Sequence, residues 1–411
     1  MKVGLLTQWY APEPGPAFLP TSLAEGLAGR GHDVRVLTGF PNYPHGRIAN
    51  GYAQRRRTDE LVNGVSVRRV ALYPSHDASV PKRVANYGSF ALSALASGLE
   101  VLEDVDVLWV NYSPVTVSLP MFWLHRRRRT PLVVHVLDLW PDTVAASGLG
   151  GGLGTRAEAA LTAWCGRIYR AADTVAYISE GVGDVLARRG VPRKKLRYAP
   201  MWADEAVNVP AEPTGRRGWG VSKDTLVVAY AGTLGGAQDL HTLIDACAAV
   251  TDLDLVCLVA GSGTHEEELR ARVAATGASN VRFVGRLDAD GVRELNATSD
   301  VHYVGLNDHP LARVTMPSKV QAILAAGRPI VGALVGDAAA AVERAGGFTV
   351  RPGDVLGLAA HLRTLASLGP QGLAGLRASA RAQYEKEFSR DRGVATIERL
   401  LLDAAERGRR G

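Results

Sequence analysis

Glycine-rich segments follow two predicted strands in the second half of the sequence. Gly232-Thr233-Leu234-Gly235-Gly236 precedes a predicted helix, and Gly261-Ser262-Gly263 ends the next strand. Glycine lets backbone N–H groups approach an anion, and the start of a helix favours negative charge. Neither segment has the spacing of a Walker A phosphate loop or of the GxGxxG dinucleotide fingerprint. Each is therefore compatible with two interpretations, a site for a phosphate or sugar and an ordinary turn.

A third polar segment, Pro317-Ser318-Lys319, precedes residues 320–326, whose composition predicts a helix that ends at Gly327. We expect Ser318 to cap this helix, because a proline is excluded from a helix interior. The free N–H groups at the helix start and the ammonium group of Lys319 would together bind a diphosphate. A plain capped helix is the alternative interpretation.

Two carboxylates and a histidine lie at the end of a predicted strand in the first half, Leu132–Leu137. They are His135, Asp138 and Asp142. Asp138 would be costly to leave unpaired in so apolar a run, so we expect it to bind a substrate hydroxyl or to cap the following helix. An earlier loop, Phe40-Pro41-Asn42-Tyr43-Pro44-His45-Gly46, combines rings and polar groups in a way that is typical of a sugar-binding surface.

Several other classes of protein are disfavoured by the sequence. It contains no motif of a serine hydrolase, a zinc protease, a protein kinase or an EF-hand. Its three cysteines form no CxxC pair, which disfavours a disulfide framework and a thiolate metal site. We therefore expect no metal and a reducing, cytoplasmic setting. The absence of an apolar run of about 18 residues and of a leader-like N-terminus argues against a membrane span and against secretion.

The elements that would position these residues follow the same order twice. The chain has 411 residues, 46% of them hydrophobic and 21% charged, which is enough for two large cores. The repeated order is strand, helix, strand: Lys2–Thr7, Ala17–Arg30 and Val34–Thr38, and then Leu226–Ala231, Asp239–Val250 and Leu253–Ala260. Further strands are predicted at Val175–Ile178, Val281–Val284, Val301–Val304 and Ile330–Val335. This order predicts an α/β protein with two Rossmann-like, doubly wound domains facing across a cleft, with ligands at the carboxyl ends of the strands.

Composition also predicts where the two domains begin and end. We place an N-terminal domain at residues 1–200 and a C-terminal domain at residues 223–385. Residues 201–222 hold prolines, tryptophans and charges without an apolar period, which indicates an interdomain linker. Residues 386–411 form a predicted C-terminal helix.

Taken together, these segments resemble the retaining, nucleotide-sugar-dependent glycosyltransferases of family 4, which have the GT-B fold. They are most similar to the bacterial subgroup that builds exopolysaccharide and O-antigen. The matching segments follow in order over nearly the whole chain: residues 37–44, 138–142, 177–179, 189–191, 232–239, 317–319 and 326–329. The resemblance implies that the C-terminal domain binds the nucleotide-diphosphate sugar and the N-terminal domain binds the acceptor. It also implies that the C-terminal helix packs back on the N-terminal domain.

The resemblance implies roles for individual residues as well. Asp138 would lie beside the donor sugar and, with Lys319, act in catalysis. The residues implied in donor binding are Gly15, Gly232, Thr233, Leu234, Gly261, Ser262, Gly263, Arg286, Arg313, Pro317, Ser318 and Lys319. We assign acceptor binding to Asn42, Tyr43, His45 and Trp140.

Two departures from the family pattern concern donor binding. The family's Arg after the glycine of the phosphate loop is here Thr233, and the Lys five residues later is Gln238. Lys319 or Arg313 would then supply the missing positive charge. The two acids of a Glu-x7-Glu stretch fall on Val314 and Ala322, which implies altered donor selection, weak donor binding or loss of activity.

The reaction that we expect moves a sugar from a UDP-linked donor to a hydroxyl acceptor, with N-acetylhexosamine as the first expectation. The acceptor would be a lipid-linked sugar or a small molecule, and no metal or other cofactor is expected. Cationic and N–H donors would stabilise the leaving diphosphate, which would assist deprotonation of the acceptor. Two alternatives are a GT-B sugar-nucleotide epimerase and a catalytically silent glycosyltransferase-like binding protein.

Positive charge is concentrated in short blocks, although the net charge is only +6. Residues 115–124 are apolar, and His125-Arg126-Arg127-Arg128-Arg129 follows directly. Such a segment is typical of an interfacial helix that contacts an anionic membrane, here the inner face. A core helix with a solvated basic end is the alternative. We expect no nucleic-acid partner.

Overall fold

Two sheets, one in each of two units, form the framework of the protein. The computed structural model describes residues 1–76, 79–143, 154–211 and 215–410. The first unit comprises Met1–Pro200 with Asp391–Gly411, and the second comprises Met201–Arg390. Both are α/β units with predominantly parallel sheets, so the predicted fold class is confirmed.

The first unit contains an eight-stranded sheet in the order β3-β4-β2-β1-β5-β6-β7-β8. Its strands are β1 (Lys2–Leu6), β2 (Asp33–Gly39), β3 (Arg57–Val62), β4 (Val65–Val70), β5 (Val107–Asn111), β6 (Leu132–Val136), β7 (Thr174–Tyr177) and β8 (Leu196–Tyr198). Its helices are α1 (Phe18–Gly29), α2 (Val80–Ser97), α3 (Ser118–Arg128), α4 (Thr155–Ala171) and α5 (Glu180–Arg188). All neighbouring strands are parallel except β3 and β4, which form an antiparallel hairpin at the edge.

The second unit contains a six-stranded parallel sheet in the order β11-β10-β9-β12-β13-β14. Its strands are β9 (Leu226–Ala231), β10 (Leu255–Ala260), β11 (Val281–Gly285), β12 (Val301–Gly305), β13 (Ile330–Ala333) and β14 (Phe348–Val350). Its helices are α6 (Leu240–Ala248), α7 (Glu266–Thr276), α8 (Ala289–Thr298), α9 (Ser318–Ala325), α10 (Gly336–Arg344), α11 (Val355–Ser367) and α12 (Gly369–Glu387). The last helix, α13 (Arg390–Arg410), begins where the chain returns to the first unit.

Burial on both faces explains why the central strands are continuous apolar runs. Every residue of β5 and every residue of β10 is buried, because helices cover both sides of a parallel sheet. In the second sheet the strand order reverses between β9 and β12, where the loops after neighbouring strands diverge. Ligands of doubly wound sheets bind at such a reversal, on the carboxyl side of the strands.

The described residues of the predicted linker, 201–211 and 215–222, belong to the second unit and pack into it. Trp202 and Ala203 are buried, and the guanidinium of Arg216 lies 2.7 Å from the Asp300 carboxylate. Composition suggested a linker because the segment has no periodic pattern. Irregular backbone can nevertheless pack through single aromatic and charged side chains. The second unit therefore begins at Met201 and not at residue 223, whereas the first unit reaches Pro200, where the predicted N-terminal domain ends.

The C-terminal helix contacts the first unit along most of its length. Glu398 accepts hydrogen bonds from Arg30 and from His32, both at 2.8 Å. Arg407 donates to the Thr174 hydroxyl at 2.9 Å. The helix begins at Arg390, four residues after the predicted start. None of the helices in the described ranges is both long and apolar enough to cross a bilayer.

Candidate functional site

A cavity of about 550 Å³ lies at the carboxyl ends of β9, β10 and β11 in the second unit. The first residues after these three strands line it together with the start of α9. Its lining consists of Asn208, Ala231, Gly232, Thr233, Ala260, Gly261, Ser262, Arg286, Leu287, Val292, Asn296, His302, Lys319, Ala322 and Ile323. Six of the residues predicted for donor binding are thus brought together around one space.

The loops after β9 and β10 are in direct backbone contact, and glycine makes this contact sterically allowed. A Cβ atom on Gly261 would lie 1.8 Å from the carbonyl oxygen of Gly232, and Gly261 has a φ of +138°. A Cβ on Gly263 would lie 2.2 Å from the carbonyl oxygen of Leu234. Side chains at either position would push the two loops apart and change the floor of the cavity.

Part of the predicted N–H surface of the first loop is used within the protein. The Gly232 N–H donates to the Ala260 carbonyl, and the Leu234 N–H donates to the Ser262 carbonyl, both at 3.0 Å. Within the described ranges the N–H of Thr233 has no such acceptor. The loop therefore offers a bound anion the N–H of Thr233, whereas the N–H groups on either side of it hold the two loops together.

Lys319 supplies a positive charge inside the cavity. Its Nζ lies 4.3 Å from the centre of the Tyr230 ring and 3.2 Å from the Tyr230 hydroxyl, which in turn donates to the Thr233 carbonyl at 2.6 Å. No carboxylate of the described residues lies within 4 Å of this ammonium group. Burial lowers the pKa of Lys319 to about 8 because the charged form loses hydration. A cation without a counter-ion is stabilised by an incoming anion.

The cavity is also lined by three polar residues that were not predicted from the sequence. His302 is buried, and its Nε2 lies 2.8 Å from the Ser299 hydroxyl. Burial, together with the charges of Arg328 and Lys319, lowers the pKa of His302 to about 3, so the ring is neutral. Asn296 and Asn208 are also buried lining residues. Their positions within a strand, a helix and the predicted linker carried no local signal of a site.

Other residues predicted for donor binding lie outside the cavity lining. The Leu234 side chain is buried in the hydrophobic core, and Arg313 is exposed and paired with Asp308 at 3.1 Å. Gly263 contributes to loop packing as described above. Pro317 and Ser318 precede Lys319 at the start of α9. Pro317 occupies the capping position itself and Ser318 is the first helical residue, so the predicted Ser318 cap is wrong.

In the first unit, Glu13 organises the loops that carry Gly15 and Tyr43. One oxygen of its buried carboxylate accepts the N–H groups of Asn42 and Tyr43, both at 2.7 Å. Gly15 has a φ of +66°, and a Cβ there would lie 3.2 Å from the Tyr43 ring. Burial raises the pKa of Glu13, although these N–H donors oppose the shift. Glu13 was missed because an acid within a Pro-rich loop has no distinguishing pattern.

The amide of Asn42 is used inside the first unit. Its Nδ2 donates to the Phe40 carbonyl at 3.1 Å, and its Oδ1 accepts from Asn86 at 3.3 Å. Asn86 also accepts from Gln8 at 2.6 Å, which extends a buried amide network. Asn42 therefore positions the loop from inside, whereas Tyr43 is half-buried and His45 is exposed.

The strand β6 separates the polar residues that were expected to gather at its end. His135 is fully buried, its Nε2 lies 2.9 Å from the Ala199 carbonyl, and burial lowers its pKa to about 4. It is a core histidine and does not join the carboxylates, because it points into the sheet packing against Trp109. Asp138 is exposed, and Trp140 is half-buried. Asp142 forms an ion pair with Arg189.

Comparison with known proteins assigns both halves of the chain. Residues 15–202 match the family described as "Glycosyl transferase 4-like domain", and residues 225–367 match the family described as "Glycosyl transferases group 1". The Escherichia coli K12 protein named "Putative colanic acid biosynthesis glycosyl transferase WcaI" is 26% identical over 325 residues. That match covers 77% of this chain and 79% of WcaI.

Solved structures share the fold over nearly the whole chain. Sucrose-phosphate synthase from Thermosynechococcus elongatus is similar with a TM-score of 0.72 and 17% identity, covering 97% of this chain and 98% of that one. HepE from Anabaena, solved in complex with UDP and glucose, has a TM-score of 0.70 and 19% identity, covering 98% and 100% of the two chains. Since the two family matches together span both units and the fold agrees, the chain belongs to glycosyltransferase family 4 and is a glycosyltransferase with the GT-B fold.

Proposed function

We propose that this glycosyltransferase moves a hexose, with N-acetylhexosamine as the first choice, from a UDP-linked donor to a hydroxyl acceptor with retention of configuration and without a metal. The observation that carries the proposal is the uncompensated ammonium group of Lys319 at the glycine loops of the cavity. A diphosphate would supply the negative charge that this group lacks.

The choice of UDP is supported by a structural relative. HepE was solved with UDP and glucose and also with UDP-glucose, in structures that align with TM-scores of 0.70 and 0.69. The relative WcaI is named for colanic acid biosynthesis. By analogy we propose that the acceptor is a lipid-linked sugar, with a soluble small molecule as the alternative.

The proposed chemistry depends on charge at the leaving group. Breaking the bond between the sugar and the diphosphate leaves negative charge on phosphate oxygens, which Lys319 and the Thr233 N–H would stabilise. Lys319 would thereby provide the positive charge that other enzymes take from a metal ion. The departing phosphate oxygen would accept the proton of the attacking hydroxyl on the same face of the sugar, which gives retention.

We propose Asp138 as the second catalytic residue, acting on the transferred sugar. Gly15 would contribute to donor binding, whereas Tyr43, His45 and Trp140 would contact the acceptor. Asn42 would act on the acceptor indirectly, because its amide positions the Tyr43 loop.

The missing acids of the family pattern leave a cavity with neutral polar groups. Ala322 lines the cavity at the position where the family pattern has a glutamate, and Asn208, Asn296 and the neutral His302 also line it. We propose that these three residues take over part of donor binding through hydrogen bonds. Because these three side chains are neutral, they would contact the donor through hydrogen bonds in place of the carboxylates of the family's two glutamates.

The test is thermal unfolding of the purified protein with UDP, GDP, ADP and their hexose conjugates. A ligand at about 100 times its Kd stabilises the folded state by about 2.7 kcal/mol, which corresponds to a shift of several degrees. We expect UDP and a UDP-sugar to raise the melting temperature most.

Three outcomes would contradict parts of the proposal. A shift with GDP or ADP but not UDP would overturn the base assignment. Release of a free epimerised sugar nucleotide without acceptor would identify an epimerase. Failure of every nucleotide to shift the melting temperature would favour a catalytically silent binding protein.

A further inference from the structure

A groove of about 860 Å³ lies on the first unit between α2, α3 and α4, and we call it the α3–α4 groove. No part of the donor cavity contributes to it. Its lining consists of Leu95, Leu119, Phe122, Trp123, His125, Arg126, Arg127, Trp164, Arg167, Arg170 and Ala171. Large apolar rings and arginines thus occupy the same surface.

The rings of the groove are held in place by contacts within the unit. Phe122 and Trp164 pack edge to face with their centres 5.7 Å apart, and the Trp164 indole N–H donates to the Ser118 hydroxyl at 2.9 Å. The guanidinium of Arg127 lies 5.5 Å from the centre of the Trp123 ring. All three rings remain partly exposed, so they present a rigid apolar surface to whatever occupies the groove.

The arginines of the groove have no acidic partner within the described residues, unlike Arg128 of helix α3. Arg126, Arg127, Arg167 and Arg170 are exposed, and none lies within 4 Å of a carboxylate of the residues described. Arg128, on the same helix, does pair with Glu103. The groove therefore carries about four positive charges without an acidic partner, which makes it complementary in charge to an anionic occupant.

Exposed aliphatic side chains extend the apolar surface beyond the groove. On α2, Leu92 is 64% exposed, Val84 is 60% exposed and Val80 is 44% exposed. The residue by which α2 lines the groove is Leu95. Val84, Leu92 and Leu95 lie on one face, because their spacings of eight and three residues are close to whole turns. Leu119 of α3 is 36% exposed. Helix α3 also sends Met121 and Leu124 into the core, so it is at once a core helix and a surface one.

We infer that the α3–α4 groove and the adjoining face of α2 dock the protein onto a bilayer of anionic phospholipids. The exposed aliphatic side chains and Trp123 enter the interface, and the four arginines bind lipid phosphates. A dissolved anion would need the arginines but not the apolar face. An apolar protein partner would need the face but not the uncompensated charge. The bilayer surface supplies both chemistries at the depth where tryptophan is favoured.

The experiment is flotation of the full-length protein with vesicles of phosphatidylcholine alone and of phosphatidylcholine mixed with phosphatidylglycerol. The test variant replaces the groove arginines: Arg126→Gln, Arg127→Gln, Arg167→Gln and Arg170→Gln. The matched control removes the same charge from exposed arginines that do not line the groove: Arg188→Gln, Arg217→Gln, Arg392→Gln and Arg399→Gln. Melting temperature with and without UDP verifies that both variants fold and retain the donor cavity.

We expect the native protein and the control variant to float with the anionic vesicles, and to do so less at high salt. Each arginine at an anionic surface contributes about five-fold to partitioning, so the groove variant should bind on the order of several hundred-fold more weakly. Equal flotation of the groove variant and the control would overturn the proposal. Binding to phosphatidylcholine alone that the substitutions leave unchanged would overturn the anionic specificity.

A second measurement tests the apolar half of the proposal. Lipids brominated on their acyl chains should quench the tryptophan fluorescence of the native protein, and Trp123→Phe should remove most of this quenching while flotation persists. Quenching that is undiminished in this variant would show that Trp123 does not enter the bilayer. Absence of flotation with either vesicle, in a protein that UDP still stabilises, would favour a soluble partner for the groove without affecting the proposed transferase function.

Discussion

At the scale of single residues, Lys319 shows how surroundings change the chemistry of one side chain. Its ammonium group rests on the Tyr230 ring, has no carboxylate within 4 Å among the described residues, and has a pKa lowered by burial to about 8. Electrostatic attraction to a bound diphosphate would compensate the ammonium group of Lys319 for the hydration that it loses on burial. Part of the donor affinity should therefore depend on the protonation state of this one group.

We predict that the affinity for UDP falls as the pH rises above about 8. Below that pH Lys319 is protonated and attracts the diphosphate, whereas above it the free protein loses the charge. The weakening approaches about ten-fold per pH unit, because binding then requires the uptake of one proton. The diphosphate itself is already ionised at these pH values, so it does not contribute to the trend. Calorimetric titration across this range measures the effect.

Two variants make this measurement specific. Lys319→Gln should bind UDP weakly at every pH and without the decline, and its transfer rate should fall on the order of 100-fold. Lys223→Gln removes an exposed lysine of the same unit and should leave the pH profile unchanged. A native protein whose UDP affinity is constant through pH 8 would contradict the placement of this ammonium group at the diphosphate.

Individual site residues such as Lys319 could be predicted from the sequence, but the residues that they contact could not. Lys319 could be predicted because a cation follows a proline at the start of a helix. Tyr230 could not, because a tyrosine at the end of the apolar strand β9 looks like a core residue. Asn42 was assigned to the acceptor by composition, and only the structure shows that its amide bonds to Asn86 and Phe40.

At the scale of elements, the contact between the loops after β9 and β10 decides the shape of the cavity that Lys319 lines. The loops are linked by hydrogen bonds of 3.0 Å from Gly232 and Leu234. Their backbones are so close that a methyl group on Gly261 would overlap the Gly232 carbonyl. Neither loop can therefore move independently to accommodate a side chain.

We predict that Gly261→Ala lowers the free energy of unfolding by more than about 4 kcal/mol, because both the positive φ and the 1.8 Å approach are incompatible with a Cβ. Gly277→Ala is the matched control, since its φ is +69° but no atom lies within 4 Å of the added methyl group. That variant should lose only about 1–2 kcal/mol. Urea unfolding measures both. Equal losses in the two variants would mean that the loops are not packed together as described.

Elements with both faces buried were predicted well, and elements at the edges were not. The strands β9 and β10 are continuous apolar runs, and their predicted positions agree with the structure to within two residues. The hairpin of β3 and β4 gave no clear signal, because β3 alternates exposed and half-buried residues at the edge of its sheet. The hydrophobic pattern of a segment reflects which of its residues are buried. The pattern is therefore weaker in an element that has a solvent-exposed face.

At the scale of the whole molecule, the chain divides between two units and returns to the first with α13. This helix packs Val394 so closely against α1 that a Cβ on Gly26 would lie 2.7 Å from it. It also carries Glu398, which accepts from Arg30 and His32. The sequence predicted a terminal helix from its composition, but the start of the helix and its partners depend on contacts with residues some 360 positions earlier.

We predict that a chain ending at Arg390 has a first unit that unfolds at a lower temperature, because removal of α13 exposes the apolar surface that Val394, Ile397 and Leu401 cover. The second unit should still be stabilised by UDP. Differential scanning calorimetry with and without UDP separates the two transitions. Removal of Arg410 and Gly411 alone is the control and should change neither transition. An unchanged first transition in the shorter chain would show that α13 adds nothing to that unit.

The return of the chain to its first unit also determines the order in which the two units become complete during synthesis. The second unit is one continuous segment, Met201–Arg390, and all of it has been made before any residue of α13 except the first. The first unit starts earlier yet lacks its last helix until the whole of the second unit has been made. The surface around Gly26 therefore stays uncovered while the second unit is being made, and the N-terminal unit can finish folding only after that unit has been synthesised.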